Sequence, residues 1–91
     1  MQIFKGEKGL DASWQEPFEA NVKCKKRGCK GNCRIMFVAY EGVGTGDKKG
    51  HFVCDLHNNM EDKKYWPHDA IAVAVYLCEK CFEAVAEINQ A

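Results

Sequence analysis

The chain has little of what marks several large classes of protein. It has no net charge, because 13 Lys and Arg balance 13 Asp and Glu across 91 residues. No whole-molecule field therefore draws it onto DNA or an anionic membrane. It has no long apolar run: the longest, Ala70 to Cys78, is nine residues, against ~20 for a helix that spans a bilayer. Its start, MQIFKGEKG, lacks the apolar core of a secretory signal, so the expectation is an unexported, cytoplasmic chain with no membrane partner. No internal repeat and no low-complexity segment occurs.

What is present is a globular composition, 46% hydrophobic and 29% charged, with six cysteines. Six thiols in an unexported chain point to metal or redox chemistry rather than to disulfides. Size adds to this. A chain this short buries only about two-thirds of its unfolded surface, and its apolar residues are spread over short segments among eight glycines. A metal cross-link supplies stability that such a core lacks. The expected organisation is a single domain, 1–91, with 1–17 as an N-terminal arm or extra strand.

Patterning suggests mostly strands. FEANVKC, Phe18 to Cys24, alternates Phe18, Ala20, Val22 and Cys24 on one face, which is strand periodicity. KKRGCKGN reads as a turn. CRIMFVAYE, from Cys33, is rich in β-branched and aromatic residues and predicts the clearest strand. GVGTGDKKG reads as a hairpin loop, HFVCDLH as the returning strand, and NNMEDKKYWPHD as a long polar connector. IAVAVYL reads as a buried strand, although its alanines also suit a helix. From Cys78 the tail CEKCFEAVAEINQA predicts an amphipathic helix: Phe82, Val85 and Ala86 share one side, and Glu79, Glu83 and Glu87 fall four apart on the other.

The cysteines carry the chemistry. Cys24 and Cys29 form a C-x4-C pair at a turn between strands, and Cys78 and Cys81 a C-x2-C pair where a strand runs into the expected helix, whose N-terminus lowers a thiol's pKa. Two such pairs, each donating two thiolates from a tight turn, are what a tetrahedral four-cysteine Zn2+ site needs. VYLCEKCFEAVAEI, Val75 to Ile88, resembles the second half of a treble-clef zinc finger, and KCKKRGCKG resembles a first knuckle with four residues between its cysteines. The resemblance, to a treble-clef or zinc-ribbon-like zinc finger, covers about a third of the chain. It implies a metal role for Cys24, Cys29, Cys78 and Cys81 and carries no function across.

Cys33 and Cys54 are left over. Each aligns with the apolar residues of its strand, so one reading is a pair of buried thiols. The other notes that Cys54 and His57 have C-x2-H spacing and, with Cys33 and either His51 or His68, complete a second metal site. Cys33 is also an alternative partner for Cys29.

Catalysis finds little support. C-x2-C between a strand and a helix is the thioredoxin arrangement, but the chain ends ten residues after Cys81 and its last proline is Pro67. Rubredoxin-type iron is the remaining metal alternative, although no glycine follows Cys81. GVGTGDKKG fails as a phosphate loop because Asp47 stands at the second glycine. The prediction is a protein that is not an enzyme.

Charge is uneven along the chain. Between Ala20 and Tyr40 lie Lys23, Lys25, Lys26, Arg27, Lys30 and Arg34, with no acid. Lys25, Lys26, Arg27 and Lys30 are candidate phosphate contacts; they equally offset the charge of a four-thiolate zinc centre. The expected fold is α+β: a small zinc-stabilised domain of antiparallel β-hairpins with one C-terminal helix. The expected function is a non-catalytic binding module, nucleic-acid-associated or regulatory through its basic knuckle. The rival is a protein-interaction adaptor, monomeric or homodimeric.

Overall fold

The computed structural model of the chain describes residues 1–41, 51–52 and 71–90. Among these residues six strands form one antiparallel sheet: β1 (Gln2–Lys5), β2 (Asn21–Lys23), β3 (Asn32–Tyr40), β4 (His51–Phe52), β5 (Ile71–Cys78) and β6 (Ala84–Gln90), with a 3₁₀ turn at Gly6–Gly9. Their order is β4-β1-β3-β5-β6, and β2 pairs with β3.

The register explains how two strands share one edge of β3. β5 pairs with β3 from Cys33 to Tyr40. On the opposite edge, β2 occupies Asn32 to Arg34 and β1 occupies Phe37 to Tyr40. The ladder between β3 and β5 skips a residue between Ile35 and Phe37, which is where β2 gives way to β1. An extra residue there adds local twist, and Met36 is left exposed at 43%.

The core lies on the face that carries Val38, Ala72, Ala74, Tyr76 and Val85. The segment after β1 closes it: Phe18 is buried, and Leu10, Ala12 and Trp14 pack against the same cluster. Hydrogen bonds hold this cover in place. The Trp14 indole N–H donates to the Glu41 carbonyl at 3.0 Å and its ring stacks on Tyr40 at 5.2 Å. The Trp14 backbone N–H donates to Asn89 Oδ1, and the Tyr76 hydroxyl donates to the Glu19 carbonyl at 2.7 Å.

Three expectations need correction. The predicted C-terminal helix is absent: after Cys78 the chain turns at 79–81 and returns as β6, paired with β5 from Ile71↔Gln90 to Leu77↔Ala84. The described fold is therefore a β-sheet and not α+β, and the helix on which the treble-clef assignment of the fold depends is replaced by a strand. The physical cause is the open edge of β5. A helix of fourteen residues is still marginal in isolation, whereas β6 gains seven paired positions and buries Val85. The strand expected from Phe18 to Cys24 is reduced to Asn21–Lys23, because Phe18 serves the core from the covering segment.

His51–Phe52 pairs with β1, at Ile3↔His51 and Gln2↔Phe52, and not with β3 as a hairpin requires; β1 already holds that edge. The loop 42–50, the rest of the strand expected over 51–57 and the whole connector 58–70 lie outside the described residues, as do Cys54, His57 and His68. Among the described residues no helix is long and apolar enough to cross a membrane.

Candidate metal centre

Two strand-to-strand turns build the site. β2 and β3 are joined by the first, with Cys24 and Cys29 at its shoulders. The Cys24 N–H donates to the Gly31 carbonyl at 3.0 Å, extending the ladder by one bond, and the Cys29 N–H donates to the Lys26 carbonyl at 3.0 Å. β5 and β6 are joined by the second. Here the Cys78 N–H donates to the Glu83 carbonyl at 2.9 Å and the Phe82 N–H to the Cys78 carbonyl at 3.0 Å. Because Cys33 lies opposite Cys78 in the β3–β5 ladder, both turns emerge at the same end of the sheet. The Glu79 N–H donates to the Asn32 carbonyl at 3.0 Å, and Arg34 Nε meets Glu79 Oε1 at 3.2 Å, so the second turn is tied to the start of β3, where the first turn ends.

The consequence is a cluster. The sulfurs of Cys24, Cys29, Cys78 and Cys81 all lie within 4.8 Å of one another. Cys24 and Cys81 are 3.6 Å apart, Cys29 and Cys78 3.8 Å. Four thiolates placed tetrahedrally at ~2.3 Å from a zinc ion are separated by ~3.8 Å along each edge. All four are free thiols, and these separations far exceed the ~2.05 Å of a disulfide.

Backbone amides are aimed at the sulfurs from two residues further on. The Lys26 N–H points at Cys24 Sγ (3.5 Å), Gly31 N–H at Cys29 Sγ (3.3 Å) and Lys80 N–H at Cys78 Sγ (3.4 Å). The Glu83 amide acts on Cys81 in the same way. Such donors favour the thiolate. The amides of Cys81 and Lys80 lower Cys78 to about 6 against the effect of its burial. Cys24 shows the opposite outcome. The Lys26 amide works to lower it, but desolvation and the crowded thiols of Cys81, Cys29 and Cys78 push it up to about 12. Four thiols share a space in which one ionises readily and a neighbour resists. A divalent cation at the centre would remove that conflict by pairing with all four as thiolates.

Gly31 makes the close packing possible. A Cβ at this position would lie 2.6 Å from Cys78 Sγ, 2.9 Å from the Lys80 Cβ and 3.3 Å from Cys29 Sγ. The site thus needs a glycine where the first turn passes over the second, a requirement visible in the sequence only as a glycine two places after Cys29.

Cys33 stands beside the cluster. It is fully buried, faces Cys78 across the ladder, and its thiol is raised by desolvation first and by charge at Cys78 second. Lys25, Lys26, Arg27 and Lys30 are all exposed on the first turn. Lys26 and Arg27 do not stand alone: with Gly28, Cys29, Lys80 and Cys81 they line a shallow cleft of about 320 Å³ between the two turns. Lys80 belongs to this basic patch, though in the sequence it sits among glutamates far from the first turn. Phe82, expected on the buried side of a helix, is 72% exposed.

The chain matches no protein-family model, no curated protein and no solved structure. The four cysteines at metal-binding distance are what bears on function.

Proposed function

We propose that the chain is a non-catalytic zinc-binding module that associates with nucleic acid through its basic first knuckle, in a reducing, cytoplasmic compartment. The observation behind this reading is the set of four cysteine sulfurs within 4.8 Å of one another, beside exposed cations on the first turn. A tetrahedral four-sulfur set suits zinc or iron. Zinc is the reading adopted, since a redox-inert ion fits a site that joins two turns at one end of a small sheet. Four protein ligands fill a tetrahedral ion and leave no open position for a substrate, which favours a structural role.

Charge supports the nucleic-acid part. Four thiolates and one Zn2+ sum to −2, while Lys25, Lys26, Arg27 and Lys30 contribute +4. Even with the ion bound, the first knuckle keeps a surplus of positive charge at its solvent-facing tip. Backbone phosphates are the natural counter-charge.

The test is binding of labelled oligonucleotides by the zinc-loaded protein at low salt, where electrostatics are strongest. The reading expects binding that weakens when Lys25, Lys26 and Arg27 are all replaced by alanine, with zinc retained. Absence of any binding to DNA or RNA overturns it. The second reading, an adaptor or homodimer, draws on β6: it pairs with β5 on one edge, and its Ile88 is 62% exposed. A mass in solution that rises with protein concentration favours that reading.

A further inference from the structure

We propose that Phe82 is a stacking platform for an unpaired base and that the cleft beside it holds the adjoining phosphate, so that the partner is a single-stranded nucleic acid. This rests on the nucleic-acid reading above and narrows it. Three observations carry it.

First, Phe82 adopts a left-handed backbone conformation, with φ of 60°. A bulky residue there is a true outlier, because its Cβ crowds the following carbonyl. The first knuckle makes its own left-handed turn with Gly28, at φ of 83°, where the conformation is free of strain. The second knuckle could use glycine equally well, and places phenylalanine there instead. Strain of this kind collects at functional positions.

Second, the strain gains nothing inside the fold. Phe82 is 72% exposed, the most exposed of the large apolar side chains among the described residues. An aromatic ring in water at a strained position neither fills the core nor relieves the backbone.

Third, the turn that carries Phe82 contributes to a basic cleft, although exposed Glu79 and Glu83 flank the same turn. Phe82 directly follows Cys81, and Cys81, Lys80, Lys26 and Arg27 line the one cleft. A cleft lined by cations from two turns, one of which carries an exposed ring, supplies the two elements that bind single strands without strong sequence preference: a positive groove for the backbone and an aromatic face for a base. In a duplex the bases are stacked already and offer no free face to the ring.

The experiment uses zinc-loaded full-length protein and fluorescein-labelled ten-nucleotide oligothymidine, oligouridine and a duplex DNA of the same length. Wild type is compared with Phe82→Gly, Phe82→Leu, Phe82→Tyr and the triple variant Lys26→Ala, Arg27→Ala, Lys80→Ala. The expected result is that both single strands bind more tightly than the duplex. Phe82→Gly and Phe82→Leu weaken single-strand binding roughly ten- to hundredfold with the salt slope unchanged. Phe82→Tyr stays close to wild type. The triple variant flattens the single-strand salt slope by about two.

Phe82→Gly is also expected to keep its zinc and to melt no lower than wild type, since glycine accepts the backbone angle; this separates lost stacking from lost folding. Wild-type-like single-strand binding by Phe82→Gly overturns the inference and leaves the broader reading standing. Equal binding of duplex and single strands does the same. No binding of any oligonucleotide by wild type overturns both, and an exposed Phe82 then marks a protein contact.

Discussion

A methyl group placed on Gly31 would reach to within 2.6 Å of the Cys78 sulfur. The two residues belong to different turns, separated by most of the chain, and the absence of a side chain on one sets how closely the other approaches. Gly31→Ala is therefore expected to push the knuckles apart, at a cost of about 1–3 kcal/mol. The measurement is zinc affinity by competition with a chromophoric chelator. Affinity should fall about tenfold or more, while a replacement at exposed Lys30 leaves it unchanged.

Cys33 tests whether nearness to the centre is the same as membership. Its thiol is buried opposite Cys78 but stands outside the cluster of four. Cys33→Ala should keep the full metal content and lower Tm by about 5–10 °C through lost packing. Loss of metal in this variant makes Cys33 a ligand.

Tyr76 links the sheet to its covering segment through the bond from its hydroxyl to the Glu19 carbonyl. Tyr76→Phe should lower stability by about 1–2 kcal/mol, because a buried bond is lost and a carbonyl is left without its donor. Burial also pushes the phenol from 10.0 up to about 12. The neutral form therefore stabilises the fold fully below pH 10, and this contribution is lost as pH rises towards 12. Denaturant titrations across that range should show a steeper loss in wild type than in Tyr76→Phe.

Metal removal should affect the knuckle end of the sheet first. The ligands must shed protons to bind, so acidification and chelation act in the same direction. Amide exchange at Lys26, Gly31 and Lys80, whose N–H groups point at sulfur, should accelerate on chelation more than exchange within the β3–β5 ladder. Uniform acceleration instead indicates that the metal holds the whole sheet.

How much of this was legible in the sequence depends on how local the cause is. β3 and β5 were readable because Ile35, Phe37, Val38, Val73 and Val75 favour strands by themselves, and the four clustered cysteines were readable from their spacing. β6 was not. Glu79, Glu83 and Glu87 satisfy helical spacing, and only the unpaired edge of β5, a feature of the assembled sheet, selects the strand. The same error hid Phe82, which a helix buries and a turn exposes. Lys80 was missed for a related reason: its cationic neighbours come from the other knuckle, and no reading along the chain brings them together.

The central claim is that Cys24, Cys29, Cys78 and Cys81 together hold one zinc ion, and elemental analysis of purified protein tests it most directly. One zinc per chain is expected, with tight binding lost when any one of the four is replaced by serine. A protein that takes up no zinc when refolded in its presence, or that keeps a full equivalent in the Cys78→Ser variant, contradicts the account.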